Sequence, residues 1–216
     1  MTKIILFDLD GTIIDSTEAI VETFFYVFSK KGFEKQIADY EIKRLIGYPL
    51  DIMFANLGVE QQYVDEYVNE YKLRYREVSC AKTVLIENAL KSLEFASKFA
   101  RLGVVTTKTA LYSHPLLEHL NVGHYFECLI GREHVINPKP HPEPIYKAIE
   151  SMKLDINKHD IYMIGDTKLD LIASGNAGIK GIGVLSGYGT KEELSLYSDK
   201  VFKDTWDAVN YLYNGR

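Results

Sequence analysis

Cysteine is scarce: two residues in a chain of 216. Cys80 and Cys128 lie far apart with neither pairing nor metal-ligand spacing, so both are read as free thiols in a reducing compartment. No apolar run reaches the length that crosses a bilayer, and the N-terminus shows no signal-peptide pattern, so the expected location is cytoplasmic, away from any membrane. A basic excess is also missing. The 25 Lys and Arg against 30 Asp and Glu give a formal charge of −5, which argues against a general nucleic-acid binder. Repeats, low-complexity tracts and long flexible linkers are absent. His114, His119 and His124 recur in steps of five, which fan around a helix, and Pro115 and Gly123 interrupt the segment; surface histidines are expected rather than a metal cluster. Gly181-Ile182-Gly183 followed by Gly187 lacks the third glycine that a dinucleotide-binding turn requires.

What is present begins at the N-terminus. Ile4-Ile5-Leu6-Phe7 is apolar without alternation, as in a parallel strand buried on both faces. It runs into Asp8-Leu9-Asp10-Gly11-Thr12. Alternation along the strand places Asp8 and Asp10 on one side, and Gly11 permits a sharp turn. Two neighbouring carboxylates call for a cation or a shared proton, and a hard ion such as Mg²⁺ suits an all-oxygen site. A solvated Asp-Gly turn is the plain alternative.

Asp15-Ser16-Thr17-Glu18 next reads as a helix cap. Ile20, Val21, Phe24, Val27 and Phe28 follow at helical spacing, and helical patterns continue to about Val78. Tyr63, Tyr67, Tyr71 and Tyr75 repeat every four residues and are read as packing, with hydroxyls at the water boundary. No strand is predicted in this stretch. From about Thr83 strands and helices alternate, with strands at Leu102–Thr107, Cys128–Gly131, Ile161–Asp166, Ile182–Val184 and Val201-Phe202. The fold class is therefore α/β, a doubly wound parallel sheet with an inserted all-helical unit. The predicted division is 1–14 with 83–216 as the core and 15–82 as the insertion.

Ligands of open α/β sheets bind beyond the carboxyl ends of the strands, and three further motifs fall there. Thr106 and Thr107 end the second strand, where hydroxyls and free amides suit an oxyanion. Lys139 sits between prolines in Asn137-Pro138-Lys139-Pro140-His141-Pro142-Glu143-Pro144, either a rigid ammonium beside an anion site or a stiffened surface loop. Asp166, in Gly165-Asp166-Thr167-Lys168-Leu169-Asp170, either caps a helix or completes a divalent-metal site with Asp8 and Asp10. Asp170, one turn on, can meet a metal-bound water or hold Lys139 in place.

DLDGT at Asp8–Thr12, VVTTK at Val104–Lys108, KPHPEP at Lys139–Pro144 and GDTKLD at Gly165–Asp170 together resemble the haloacid dehalogenase superfamily. The likeness is to its phosphatase branch with a helical cap domain, across essentially the whole chain. It implies an aspartyl-phosphate mechanism with Asp8 as nucleophile and Asp10 as acid and base. Mg²⁺ is then expected on the Asp8 carboxylate, the Asp10 main-chain carbonyl and Asp166, with Thr106, the Thr107 amide and Lys139 around the phosphoryl oxygens.

Arg44-Leu45-Ile46-Gly47-Tyr48-Pro49-Leu50 resembles the segment through which phosphoglycolate phosphatases and pyrophosphatases of this branch read the leaving group. Arg44 is either a second-anion contact or an exposed helix residue, and Gly47 belongs to the same segment. Arg132-Glu133, in place of an acidic pair, and Ser186, in place of an aromatic residue, depart from the relatives. The implied activity is hydrolysis of a small phosphate monoester resembling phosphoglycolate, with pyrophosphate hydrolysis as the alternative; the expected partners are small phosphorylated metabolites or pyrophosphate, for a monomer or homodimer. A phosphosugar mutase, which would keep the phosphoenzyme from water, and a non-catalytic binding module are the remaining readings.

Overall fold

The computed structural model describes residues 3–156 and 158–215. β1 (Lys3–Phe7) is the hub of a six-stranded parallel sheet. β2 (Ile14–Asp15), α1 (Thr17–Lys30), α2 (Asp39–Lys43), α3 (Leu50–Leu57), α4 (Val64–Val78) and β3 (Val84–Leu85) follow. Then come α5 (Ala89–Ala96), β4 (Ala100–Val105), α6 (Ala110–His119), β5 (Cys128–Ile130), α7 (Glu143–Ser151) and β6 (Asp160–Gly165). The chain ends with α8 (Lys168–Asn176), β7 (Lys180–Val184), α9 (Lys191–Leu194), β8 (Val201–Phe202) and α10 (Thr205–Asn214).

The strand order is β5-β4-β1-β6-β7-β8, so the chain builds outward on one side of β1 and then on the other. Ile5 lies opposite Leu102 on β4 and Tyr162 on β6. A strand bonded on both edges and covered on both faces must be apolar throughout, and Ile4 to Phe7 are fully buried. Alternate side chains serve opposite layers. Ile5 and Phe7 pack with Leu93 of α5, Leu116 of α6 and Val209 of α10. Ile4 and Leu6 pack with Ile145 of α7 and Ala173 of α8. The doubly wound expectation is borne out, and the ends of β1, β4 and β6 open on the side where the motifs lie.

Helices α1 to α4 share a hydrophobic core of their own. Phe24 is its centre, with ring centroids 4.6 Å from Phe54 and 4.9 Å from Tyr71. Truncating it to alanine would cost about 3–5 kcal/mol by loss of burial and a residual cavity. The stretch is joined to the sheet through a feature the sequence did not reveal. Ile14 pairs with Leu85 and Asp15 with Val84, antiparallel, so a two-residue ribbon clasps both crossings. Two residues are too few for alternation to register.

Pro115 does not end its helix: α6 runs through it from Ala110 to His119. The backbone acceptor that proline leaves unfilled belongs to Leu111, which is exposed to water. His114, His119 and His124 are all exposed. Among the described residues no helix is long and apolar enough to cross a membrane.

Candidate active site

The site is assembled at the end of β1. Asp8 continues the ladder, its amide donating to the Ile164 carbonyl at 2.9 Å. The chain then leaves the strand, and the amides of Thr12, Ile13 and Ile14 all turn back to the Leu9 carbonyl. Gly11 adopts φ +80°, and a Cβ there would stand 2.3 Å from Asp166 Oδ2. Glycine is required both by the turn and by the approach of that carboxylate.

Asp8, Asp166 and Asp170 are 3%, 0% and 0% exposed, and each offers an oxygen within 4.8 Å of the others. One cation is buried among them. The Lys139 ammonium lies 2.9 Å from Asp8 Oδ1 and 3.0 Å from the Val105 carbonyl, and it donates to Asp170 Oδ1. Asp170 is also held by the Thr167 amide and hydroxyl at 3.1 and 2.8 Å. Asp166 accepts from the Thr12 hydroxyl at 2.9 Å and from the Tyr188 amide at 2.8 Å. The Lys139–Asp8 approach is a charge contact out of line for a hydrogen bond, and Asp8 Oδ1 has no aligned donor.

Three buried carboxylates against one ammonium leave an excess of negative charge. Burial, reinforced by Asp170 and Asp10, pushes the Asp8 carboxyl up to about 7 despite the pull of Lys139. Burial and the neighbouring acids raise Asp166 well above the usual carboxylate range. Burial acts to lower Lys139, but Asp170 and Asp8 outweigh it and hold the amine protonated. Carboxylate oxygens, an unfilled lone pair on Asp8 and surplus negative charge together fit a hard divalent cation.

The Asp10 carboxylate is not among the three gathered oxygens, although its charge is felt at Asp8. Its Oδ1 lies 3.1 Å from the Lys108 ammonium and accepts from the Ser16 hydroxyl. Within the expected capping segment the Ser16 side chain makes no cap bond, and Asp15 accepts from the Thr17 amide at 2.9 Å. Nothing in the VVTTK motif assigns a role to Lys108. It also donates to the Tyr75 hydroxyl of α4 at 2.7 Å. Tyr67, Tyr71 and Tyr75 are buried in the helical core, as the packing reading expects, while Tyr63 is exposed. Tyr75 does more than pack, since its hydroxyl meets a core lysine rather than water.

Thr106 is buried, its hydroxyl accepting from the Lys108 amide at 3.1 Å. Thr107 donates its hydroxyl to the Gly47 carbonyl at 2.8 Å, joining the loop after β4 to the loop after α2. Gly47 has φ +107° and lines a cavity of about 390 Å³ between the helical stretch and the sheet. Arg44 is exposed at the end of α2 and does not line that cavity. The departures noted in the sequence have local tasks. Glu133 accepts from the Ala110 and Leu111 amides at 2.9 and 3.1 Å, capping α6, and Ser186 donates to the Gly11 carbonyl at 2.9 Å.

The site and fold have close counterparts. The chain is 27% identical to a phosphoglycolate phosphatase of Colwellia psychrerythraea, over 96% of this chain and 95% of that one. It is 30% identical to a pyrophosphatase of Anoxybacillus flavithermus, covering 89% of this chain and 88% of the other. A crystal structure of a haloacid dehalogenase-like hydrolase from Bacteroides fragilis superposes with a TM-score of 0.90 at 29% identity, over 96% of this chain and 100% of that one. The family model described as haloacid dehalogenase-like hydrolase matches residues 5–184. With its parallel sheet and its acidic cluster beyond β1 and β6, this chain belongs to the haloacid dehalogenase-like hydrolase family.

Proposed function

We propose that the chain is a magnesium-dependent phosphatase that hydrolyses a small phosphate monoester through a phosphoenzyme on Asp8. The observation that carries this reading is the Asp8 carboxylate itself: buried, with one oxygen lacking an aligned donor, and faced by the Lys139 ammonium at 2.9 Å. A nucleophile needs an available lone pair, and an anionic electrophile needs a fixed positive charge beside it.

In the first step an Asp8 oxygen bonds to phosphorus as the bond from phosphorus to the leaving oxygen breaks. That oxygen takes its proton from Asp10. In the second, water attacks phosphorus and gives a proton to Asp10 while the acyl-phosphate bond opens, releasing inorganic phosphate and restoring Asp8. Lys139, with Thr106 and Thr107, holds the phosphoryl oxygens, and Asp170 keeps Lys139 in place. Asp8, Asp166 and the Asp10 carbonyl would hold Mg²⁺, which when bound offsets the surplus negative charge and screens the phosphoryl group. The stretch 15–82 serves as a cap over a core of 1–14 and 83–216, closing the cavity against water.

Phosphate release from a generic monoester in the presence and absence of Mg²⁺, with Asp8→Asn as control, tests the reading. Pyrophosphate belongs in the same assay, because relatives at 30% identity are named pyrophosphatases.

A further inference from the structure

The cavity beneath α3 and α4 bears on what is attached to the phosphoryl group. Asp10 is among its lining residues, whereas Asp8, Asp166, Asp170 and Lys139 are not. It is therefore space for the leaving group, beginning at the residue placed to protonate that group. Taking about 30 Å³ for a water-sized share of volume, some 390 Å³ holds about a dozen heavy atoms. A two-carbon hydroxy acid or a second phosphate would fill a fraction of it.

Half of the lining side chains are apolar or aromatic, with Ile46, Leu50, Met53, Val68, Tyr71 and Tyr112 among them. Charge does not favour an anion. Lys72, Lys108 and Arg132 line the cavity, but so do Asp10, Asp51, Asp65 and Glu133. Lys108 is committed to Asp10 and Tyr75, and Arg132 donates to the Val135 carbonyl at 2.9 Å. Neither a carbonyl nor an amide partner cancels a charge, so three cations still face four carboxylates, of which Asp51 and Asp65 are exposed to water. A leaving group bearing a carboxylate or second phosphate would lose its hydration to a chamber with no surplus cation. An uncharged ring or alkyl body would gain by burial.

We infer that the preferred substrate is a phosphate monoester of a neutral alcohol with an aromatic or aliphatic body, larger than glycolate. This rests on the phosphatase reading above and narrows it. The cleaved bond is the same, the alcohol leaving with the proton from Asp10 and the phosphoryl group passing to Asp8 and then to water.

The test compares benzyl phosphate and hexyl phosphate with 2-phosphoglycolate and pyrophosphate at one Mg²⁺ concentration. Benzyl alcohol and glycolate are both primary alcohols, so leaving-group reactivity alone does not decide the order. The expected result is a kcat/KM at least about tenfold higher for the neutral esters, a factor of ten being about 1.4 kcal/mol. Val68→Lys, which adds a cation to the wall without touching the acids, is expected to narrow or reverse that preference. A second readout is calorimetric binding without turnover, benzylphosphonate against phosphonoacetate, with the former tighter. Best turnover of phosphoglycolate or pyrophosphate would overturn the inference and leave the phosphatase reading standing. Turnover of none of the four, with wild type matching Asp8→Asn, would overturn both.

Discussion

The Lys108 ammonium stands 3.1 Å from Asp10 Oδ1. The same nitrogen donates to the Tyr75 hydroxyl at 2.7 Å, so the carboxylate proposed as acid and base is positioned from the helical stretch as well as from the sheet. Burial acts to lower Lys108, but the charge of Asp10 and the Tyr75 hydroxyl more than offset it and keep the amine protonated. Lys108→Met should reduce kcat by about 10²-fold, the scale of a roughly 1 Å misplacement of a reacting group. Tyr75→Phe keeps the ring and should show a smaller loss in the same direction. Steady-state kinetics on both, and on the double variant, measure whether the two effects are coupled.

Lys139 is the only lysine that contacts the acidic cluster among the described residues, 3% exposed and touching both Asp8 and Asp170. Removing one member of a buried ionic group leaves the others uncompensated. Lys139→Met should therefore lower stability by about 3–5 kcal/mol in denaturant unfolding, besides abolishing turnover. Mg²⁺ should restore part of that loss in the variant, since a divalent ion neutralises the same carboxylates.

Glu133 supplies a pH-dependent test outside the acidic cluster. Burial acts to raise its carboxyl, but the Ala110 and Leu111 amides outweigh that and hold it below the ordinary value of 4.5. A depressed carboxyl contributes stability that is present above its unfolded value and is lost as pH falls through the folded one. Glu133→Gln should thus cost about 1 kcal/mol near neutral pH, the usual scale of a helix cap. Thermal unfolding across pH should show the gap between variant and parent closing below about pH 4.

Thr107 tests the link between the two layers. Its bond to the Gly47 carbonyl spans 60 positions in sequence. Thr107→Val should cost about 0.5–1.5 kcal/mol in unfolding. Hydrogen exchange should quicken in the loop of Gly47 before it does in β1.

Much of the architecture was legible because its signals are local. The unbroken apolar run Ile4–Phe7 reads as a doubly covered strand, and the motifs of Asp8, Thr106 and Asp166 follow directly on strands, whereas Lys139 stands nine residues beyond the end of β5. Less legible was whatever depends on a side chain turning after the strand has ended. Alternation along β1 gives no sign that Asp10 meets Lys108 and Ser16, since both partners lie outside that strand. The contact of Lys108 with Tyr75 joins residues 33 apart through packing between layers, which no spacing in either segment encodes. Arg44 and Gly47 lie three residues apart, yet one faces water and the other lines the cavity. The ribbon of Ile14–Asp15 with Val84–Leu85 was simply too short to leave a pattern.

The claim on which the rest depends is the acyl phosphate at Asp8, and chemical trapping reads it directly. Protein turning over a monoester with Mg²⁺ is quenched, treated with borohydride, digested and sequenced by mass spectrometry. The account predicts homoserine at position 8, the reduction product of an aspartyl phosphate, and none in Asp8→Asn. Undiminished phosphate release with Asp8 unmodified, or with the mark on another residue, would contradict it.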